Sequence, residues 1–367
     1  MSPRIGLDYL PAVCHAPGIG RYGRELVRAL VQLPDVPELR LFEVGGGERA
    51  MEGAPLGLAG ASVFRRSSRA PRRAVEWLHR VTGLGADRLL GGVDLFHRMH
   101  AGYPPVSAAL QLLPLAELPP AGSRADAALA GALDGIDDVL VFCEHYREQV
   151  ARRYGMSGER VHTVAVGCDH WRRDLADATV APATPARLLV LGAVRSERHP
   201  LAVLRALEAL RAGGVEAELV FIGRPGDAAG DLRRALRASP AGDVVRWIES
   251  PVERDMPALL ASATVLVHLA DDEGTAVTPL EAFSLGVPVV ATRLPAFEEA
   301  LGGGAELLPA PDTHAPAALA EAIARAIRGR SDGPAAAHRR ALAEAYPWDR
   351  NARETLGLWR RILARGR

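Results

Sequence analysis

Short apolar runs alternate with longer amphipathic stretches along the chain. Ile5 to Tyr9, Leu39 to Val44, Asp94 to His100, Leu188 to Leu191, Leu219 to Ile222, Val244 to Ile248 and Thr264 to Leu269 read as strands. Between them, Arg21 to Leu33 keeps Leu26, Leu30 and Leu33 at near-helical spacing, and Arg254 to Ser262 reads as a further helix. Strands that alternate with helices predict an α/β fold built on doubly wound parallel sheets. Ala176 to Ala186, rich in Ala, Pro and Thr and without apolar periodicity, reads as a linker between residues 1–175 and 180–342.

One stretch organises the rest. After the strand Thr264 to Leu269 comes an acidic loop, Asp271-Asp272-Glu273-Gly274, then a helical segment that closes at Gly286 before a further strand, Val287 to Ala291. In an open parallel sheet such a loop lies at the carboxyl ends of the strands, where the first amides of the next helix face a ligand. Glu273 and Glu281 are separated by seven residues. Taken singly, Glu273 reads as a solvated loop acid and Glu281 as the partner of a nearby arginine. Yet Glu281 sits between Leu280 and Ala282-Phe283, in a helix flanked by buried strands, where an acid requires a hydrogen-bonding partner.

Composition narrows the partners. The 367 residues suffice for two domains, and 48% hydrophobic content supplies two cores. Formal net charge is zero, which gives no global attraction to nucleic acid or anionic membrane. All 44 basic residues are arginines, so any phosphate-binding cation is an arginine. Cys14, Cys143 and Cys168 are too few and too scattered for a disulfide framework or a zinc site. Asp271-Asp272 and Asp137-Asp138 lack the context of a metal site, so no metal is expected. The chain enters a strand without a signal-peptide core, and no segment has the ~20 apolar residues of a membrane span, so a cytoplasmic protein is expected.

Three further features carry candidate chemistry. Gly18-Ile19-Gly20 lies between a strand and a helix, where glycine lets the backbone approach a phosphate or simply makes a packing turn. His97 and His100 end a strand, as structural residues or as site residues. Arg65, Arg66, Arg69, Arg72, Arg73 and Arg80 form either a solvated loop and helix start or a patch for an anionic acceptor or membrane surface.

Glu273 to Glu281, with Pro279-Leu280-Glu281-Ala282 and Gly286-Val287-Pro288-Val289-Val290, resembles the donor-site signature of retaining glycosyltransferase family 4. The resemblance, supported by Pro17 to Tyr22 and by much of the remaining chain, implies the GT-B fold: two Rossmann-like domains facing a cleft, the first completed by the C-terminal helix within 343–367. It implies transfer of a sugar from a nucleotide diphosphate sugar, with no other cofactor, to an acceptor hydroxyl on a glycan, lipid-linked or small molecule, with retention and without metal. Glu273 would then contact the donor sugar, Glu281 the ribose, and Gly274, Thr275, Ala276 and Val277 the sugar and diphosphate. Gly18 and Gly20 would face the diphosphate, which Gly192 and Arg198 would also meet, while His97 and His100 would lie on the acceptor side. The resemblance also places base contacts near Trp247 to Ser250.

This chain departs from the family in several places. It has Thr275-Ala276-Val277 where Phe-Gly-Leu is usual, and Ala193 where an arginine is usual. Leu110 to Leu115 lacks the usual strand-end histidine. These departures open the alternative of a catalytically degenerate nucleotide-sugar binder or partner subunit. A third reading is a GT-B sugar phosphorylase or epimerase. Arg65 to Arg73 would serve peripheral contact at the inner face of a membrane, and no nucleic-acid partner is expected.

Overall fold

A computed structural model describes residues 3–14, 18–45, 58, 63–175 and 180–366. Pro17, Gly46, Gly47 and residues 176–179 of the expected linker lie outside them. The chain divides into two compact units: Met1–Gly167 with Trp348–Arg367, and Cys168–Pro347.

The first unit is a parallel sheet of seven strands: β1 (Arg4–Asp8), β2 (Glu38–Gly45), β3 (Val63–Pro71), β4 (Leu95–His97), β5 (Leu110–Leu115), β6 (Asp138–Val141) and β7 (Val161–Thr163). Their order is β3-β2-β1-β4-β5-β6-β7. Ile5, Leu7, Phe42, Phe96 and Leu112 are fully buried, as expected of strands covered on both faces. Helix Trp348–Arg365 belongs to this unit, with Trp359 in the core and Asn351 Nδ2 donating to Ala165 O at 2.7 Å.

The arginine-rich stretch is not a loop. Val63–Pro71 pairs in parallel with β2 as the sheet edge. Arg65 makes a two-pronged contact with the buried Glu43 at 2.7 and 2.9 Å. Its repeated exposed charges hid the strand period, yet such charges suit an edge because they discourage further pairing.

The second unit has six parallel strands: β8 (Ala186–Leu191), β9 (Ala217–Ile222), β10 (Val245–Ile248), β11 (Val265–His268), β12 (Val289–Thr292) and β13 (Glu306–Leu308), in the order β10-β9-β8-β11-β12-β13. The junction lies at Gly167/Cys168 rather than near residue 175. Cys168 N donates to Tyr346 O at 2.9 Å, and His170, on helix His170–Leu175, meets Glu281 inside this unit. Strand order reverses direction between β1 and β4 in one unit and between β8 and β11 in the other. Such switch points leave a crevice at the carboxyl ends of the strands.

Candidate functional site

In the second unit, the candidate residues gather at the switch point. Arg198 ends the turn Ser196–Arg198 that follows β8, and Glu273 lies in the loop that follows β11. The β8 turn opens at Gly192, which approaches Gly223 so closely that a Cβ on Gly223 would lie 1.9 Å from Gly192 O. Only glycine tolerates that contact, which tucks the β9 loop beneath the β8 loop.

The next helix, Val277–Ser284, carries Pro279 in its first turn and ends at Gly286, whose φ of 71° is the left-handed stop expected of glycine. Val287 N donates to Ala282 O at 2.9 Å, closing that end. Leu280 and Phe283 are buried, each stabilising the helix by about 1.5–3 kcal/mol. The loop Gly274–Ala276 is thereby fixed beside Glu273.

Arg198 Nη1 lies 2.6 Å from Glu273 Oε2, and His268 Nε2 lies 2.9 Å from the same oxygen. Arg198 Nη1 is also 3.0 Å from His268 Nε2. Nε2 cannot accept from the guanidinium while donating to the carboxylate; the negative charge favours donation to Glu273. Thr275 Oγ1 adds a donor at 3.4 Å from Oε1. Burial by itself would raise the Glu273 carboxyl, but the charges and hydrogen bonds of His268 and Arg198 outweigh it and hold the pKa at about 2. The site therefore presents a carboxylate that is ionised at neutral pH, braced by the Arg198 guanidinium and the His268 ring. His268, the last residue of β11, was visible in the sequence only as part of an apolar run.

Glu281 is wholly buried, and His170 Nε2 lies 3.2 Å from its Oε1. Nearby Cys168 is held well above the usual thiol range by burial, and then by the charges of Glu281 and Asp169. Arg195, the candidate replacement for the cation absent at Ala193, is half exposed and sits 3.1 Å from Glu197. Trp247 donates its indole N–H to Gly223 O at 2.8 Å and stacks under Arg233, a local structural role.

In the first unit, Gly18, with φ 66°, opens helix Ile19–Leu30 after β1, and Gly20 is buried within that helix. His97, expected on the acceptor side, is instead an internal strut. Trp359 Nε1 donates to its Nδ1 at 3.2 Å, and Tyr22 Oη lies 3.4 Å from Nε2. Burial lowers its pKa to about 3, so the ring is neutral. His100 is exposed in surface area, yet partial desolvation of its ring, then the charges of Arg72 and Arg98, lowers its pKa.

Asp8, at the end of β1, was missed. It is buried, its carboxyl raised to about 7 by burial against the opposing effects of the Leu10 N–H, Arg98 and Arg72. Among the described residues its Oδ2 has no hydrogen-bond partner.

Residues 185–329 match the family model described as glycosyl transferases group 1. Over 246 residues, 63% of this chain and 60% of the relative, the chain is 30% identical to a GDP-mannose-dependent alpha-(1-6)-phosphatidylinositol dimannoside mannosyltransferase of Mycobacterium tuberculosis. It is 28% identical over 243 residues, 62% of this chain and 56% of the relative, to a D-inositol 3-phosphate glycosyltransferase of Saccharomonospora viridis. A sucrose-phosphate synthase from Thermosynechococcus elongatus superposes with a TM-score of 0.72 at 16% identity, covering 99% of both chains. The fold is GT-B, with each unit a Rossmann-like parallel sheet.

Proposed function

Because residues 185–329 match the family model of the glycosyl transferases group 1, we propose that this chain moves a sugar from a nucleotide diphosphate sugar to an acceptor hydroxyl, with retention at the anomeric carbon. The observation that carries the reading is the cluster of the part-exposed Arg198 with the buried Glu273 and His268 at the switch point of the second sheet.

In this reaction the bond from the anomeric carbon to the diphosphate oxygen breaks, and a bond from that carbon to the acceptor oxygen forms on the same face. The acceptor proton passes to the departing phosphate oxygen. Charge accumulates on the diphosphate, where the Arg198 guanidinium and the amides of Gly274 to Val277 stabilise it. Glu273, ionised at neutral pH, accepts from donor-sugar hydroxyls and faces the positive charge that develops on the ring. Glu281 accepts from the ribose, sharing its buried carboxylate with His170. No metal takes part in the transfer.

Two further assignments follow. GDP-mannose heads the donor panel because the mycobacterial relative is named as dependent on it. Peripheral membrane contact falls to helix Arg72–Thr82, where Trp77 and Val81 are 61% and 63% exposed beside Arg69, Arg73 and Arg80. Exposed apolar residues flanked by arginines suit an anionic lipid surface. No helix among the described residues is long and apolar enough to cross a membrane.

The test is calorimetric titration with nucleoside diphosphates, followed by an assay of their release from the matching nucleotide sugar. Ala193 and the apolar end of β5 favour the alternative of a non-catalytic binder, which predicts binding without release for any acceptor.

A further inference from the structure

Beside the donor loop, three side chains from separate segments converge. His199 follows the turn that carries Arg198 and caps helix Pro200–Ala212; Asp271 opens the loop that carries Glu273; His314 follows helix Ala310–Thr313. His199 Nε2 lies 2.7 Å from Asp271 Oδ1, and the imidazoles of His199 and His314 meet edge to face with centroids 4.2 Å apart. One ligand atom from each of the three residues lies within 4.8 Å of the others.

We propose that His199, Asp271 and His314 bind one divalent transition-metal ion of the zinc class. Two imidazoles and a carboxylate form a donor set such ions favour, with three protein ligands leaving a fourth position for water. In a tetrahedral site with metal–nitrogen bonds of about 2.0–2.1 Å, neighbouring ligand atoms stand roughly 3.3 Å apart. His199 and Asp271 stand at 2.7 Å and all three ligand atoms lie within 4.8 Å, and Asp271 and His314 are exposed, so rotamer changes can bring the set to that spacing.

The backbone adds a second indication. His199 holds φ 47° and ψ 48°, a left-handed conformation unusual for a residue with a side chain. In it the ring meets Asp271. A hydrogen bond between His199 and Asp271 would account for two of the three residues, but not for the second imidazole set against the first.

An ion here ties together the segments that carry Arg198 and Glu273, already joined by Asp271 N donating to Glu197 O at 3.1 Å. It acts on the placement of those segments, and the sugar transfer does not run through it.

The test uses untagged full-length protein stripped with chelator, titrated with Zn2+ by calorimetry and with Co2+ by visible absorption. The site predicts one ion per chain and a Co2+ spectrum of a low-coordinate nitrogen and oxygen site. His314→Ala should weaken affinity by roughly 10- to 100-fold or more, whereas His314→Cys, which keeps a ligand at that position, should retain one ion. Melting temperatures without metal should match for all three proteins, because His314 is exposed. Absence of stoichiometric binding to the wild type, or equal affinity in His314→Ala, overturns the proposal. The readout is metal bound per chain, and it stands apart from whether sugar transfer is observed.

Discussion

Arg198 Nη1 lies 2.6 Å from Glu273 Oε2, although the two residues are 75 positions apart. The reversal of strand order between β8 and β11 makes them neighbours, since each follows one of the two strands that flank the switch point. Their pairing keeps an acid ionised in a buried place.

That pairing has a pH signature. The Glu273 carboxyl is depressed from 4.5 to about 2, so its contribution to stability is complete above pH 4.5 and is lost as pH falls towards 2. Glu273→Gln should be less stable than wild type by about 2–3 kcal/mol at neutral pH. Denaturant titrations across the acid range should show the gap narrowing below pH 4.5. A gap independent of pH would contradict the coupling.

Asp8 has the opposite sign. Its carboxyl is raised from 3.8 to about 7, so it favours the folded first unit at low pH, and that advantage is lost as pH rises through 7. Asp8→Asn should therefore stabilise the protein by about 2–4 kcal/mol above pH 7, with the gain falling below about 1 kcal/mol near pH 4. Calorimetric melting at the two pH values checks this, and destabilisation by the amide at high pH would refute it.

The ribose assignment rests on Glu281. Glu281→Ala should lose about 1–3 kcal/mol of nucleoside diphosphate affinity through hydrogen bonds to a buried ligand group. Because the change also removes the carboxylate beside His170, affinity should be measured well below the melting temperature of the variant. Unchanged affinity would sink the assignment.

Much of this architecture was legible in the chain. The strand, loop, helix and strand around Glu273 announce themselves because Val265 to His268 and Val289 to Thr292 are buried on both faces and Gly286 stops the helix between them. What could not be read depended on distant partners. His97 looks like a strand-end site residue until Trp359, 262 positions away, donates to its ring. Asp8 carries no signal in the sequence, because its burial comes from the strands and loops that close around it. Val63–Pro71 looks like a loop because its charges mask the pleat, and only pairing with β2 reveals the edge.

Helix Arg72–Thr82 carries the membrane proposal. Trp77→Ser should reduce flotation with anionic vesicles by about 1.5–3 kcal/mol of partitioning, from loss of a large apolar side chain at the interface. Neutral vesicles should bind neither protein. Equal flotation of variant and wild type with anionic vesicles would remove this helix from any membrane contact.

The central claim is tested most directly by release of nucleoside diphosphate from nucleotide sugars, starting with GDP-mannose, by wild type and Arg198→Ala. Wild type should bind one nucleoside diphosphate and release it from the matching sugar donor. Arg198→Ala should slow that release by roughly 100- to 1000-fold, the cost of losing a donor aimed at developing charge. Release at the same rate in the variant, or no binding of any nucleoside diphosphate by wild type, would contradict the account.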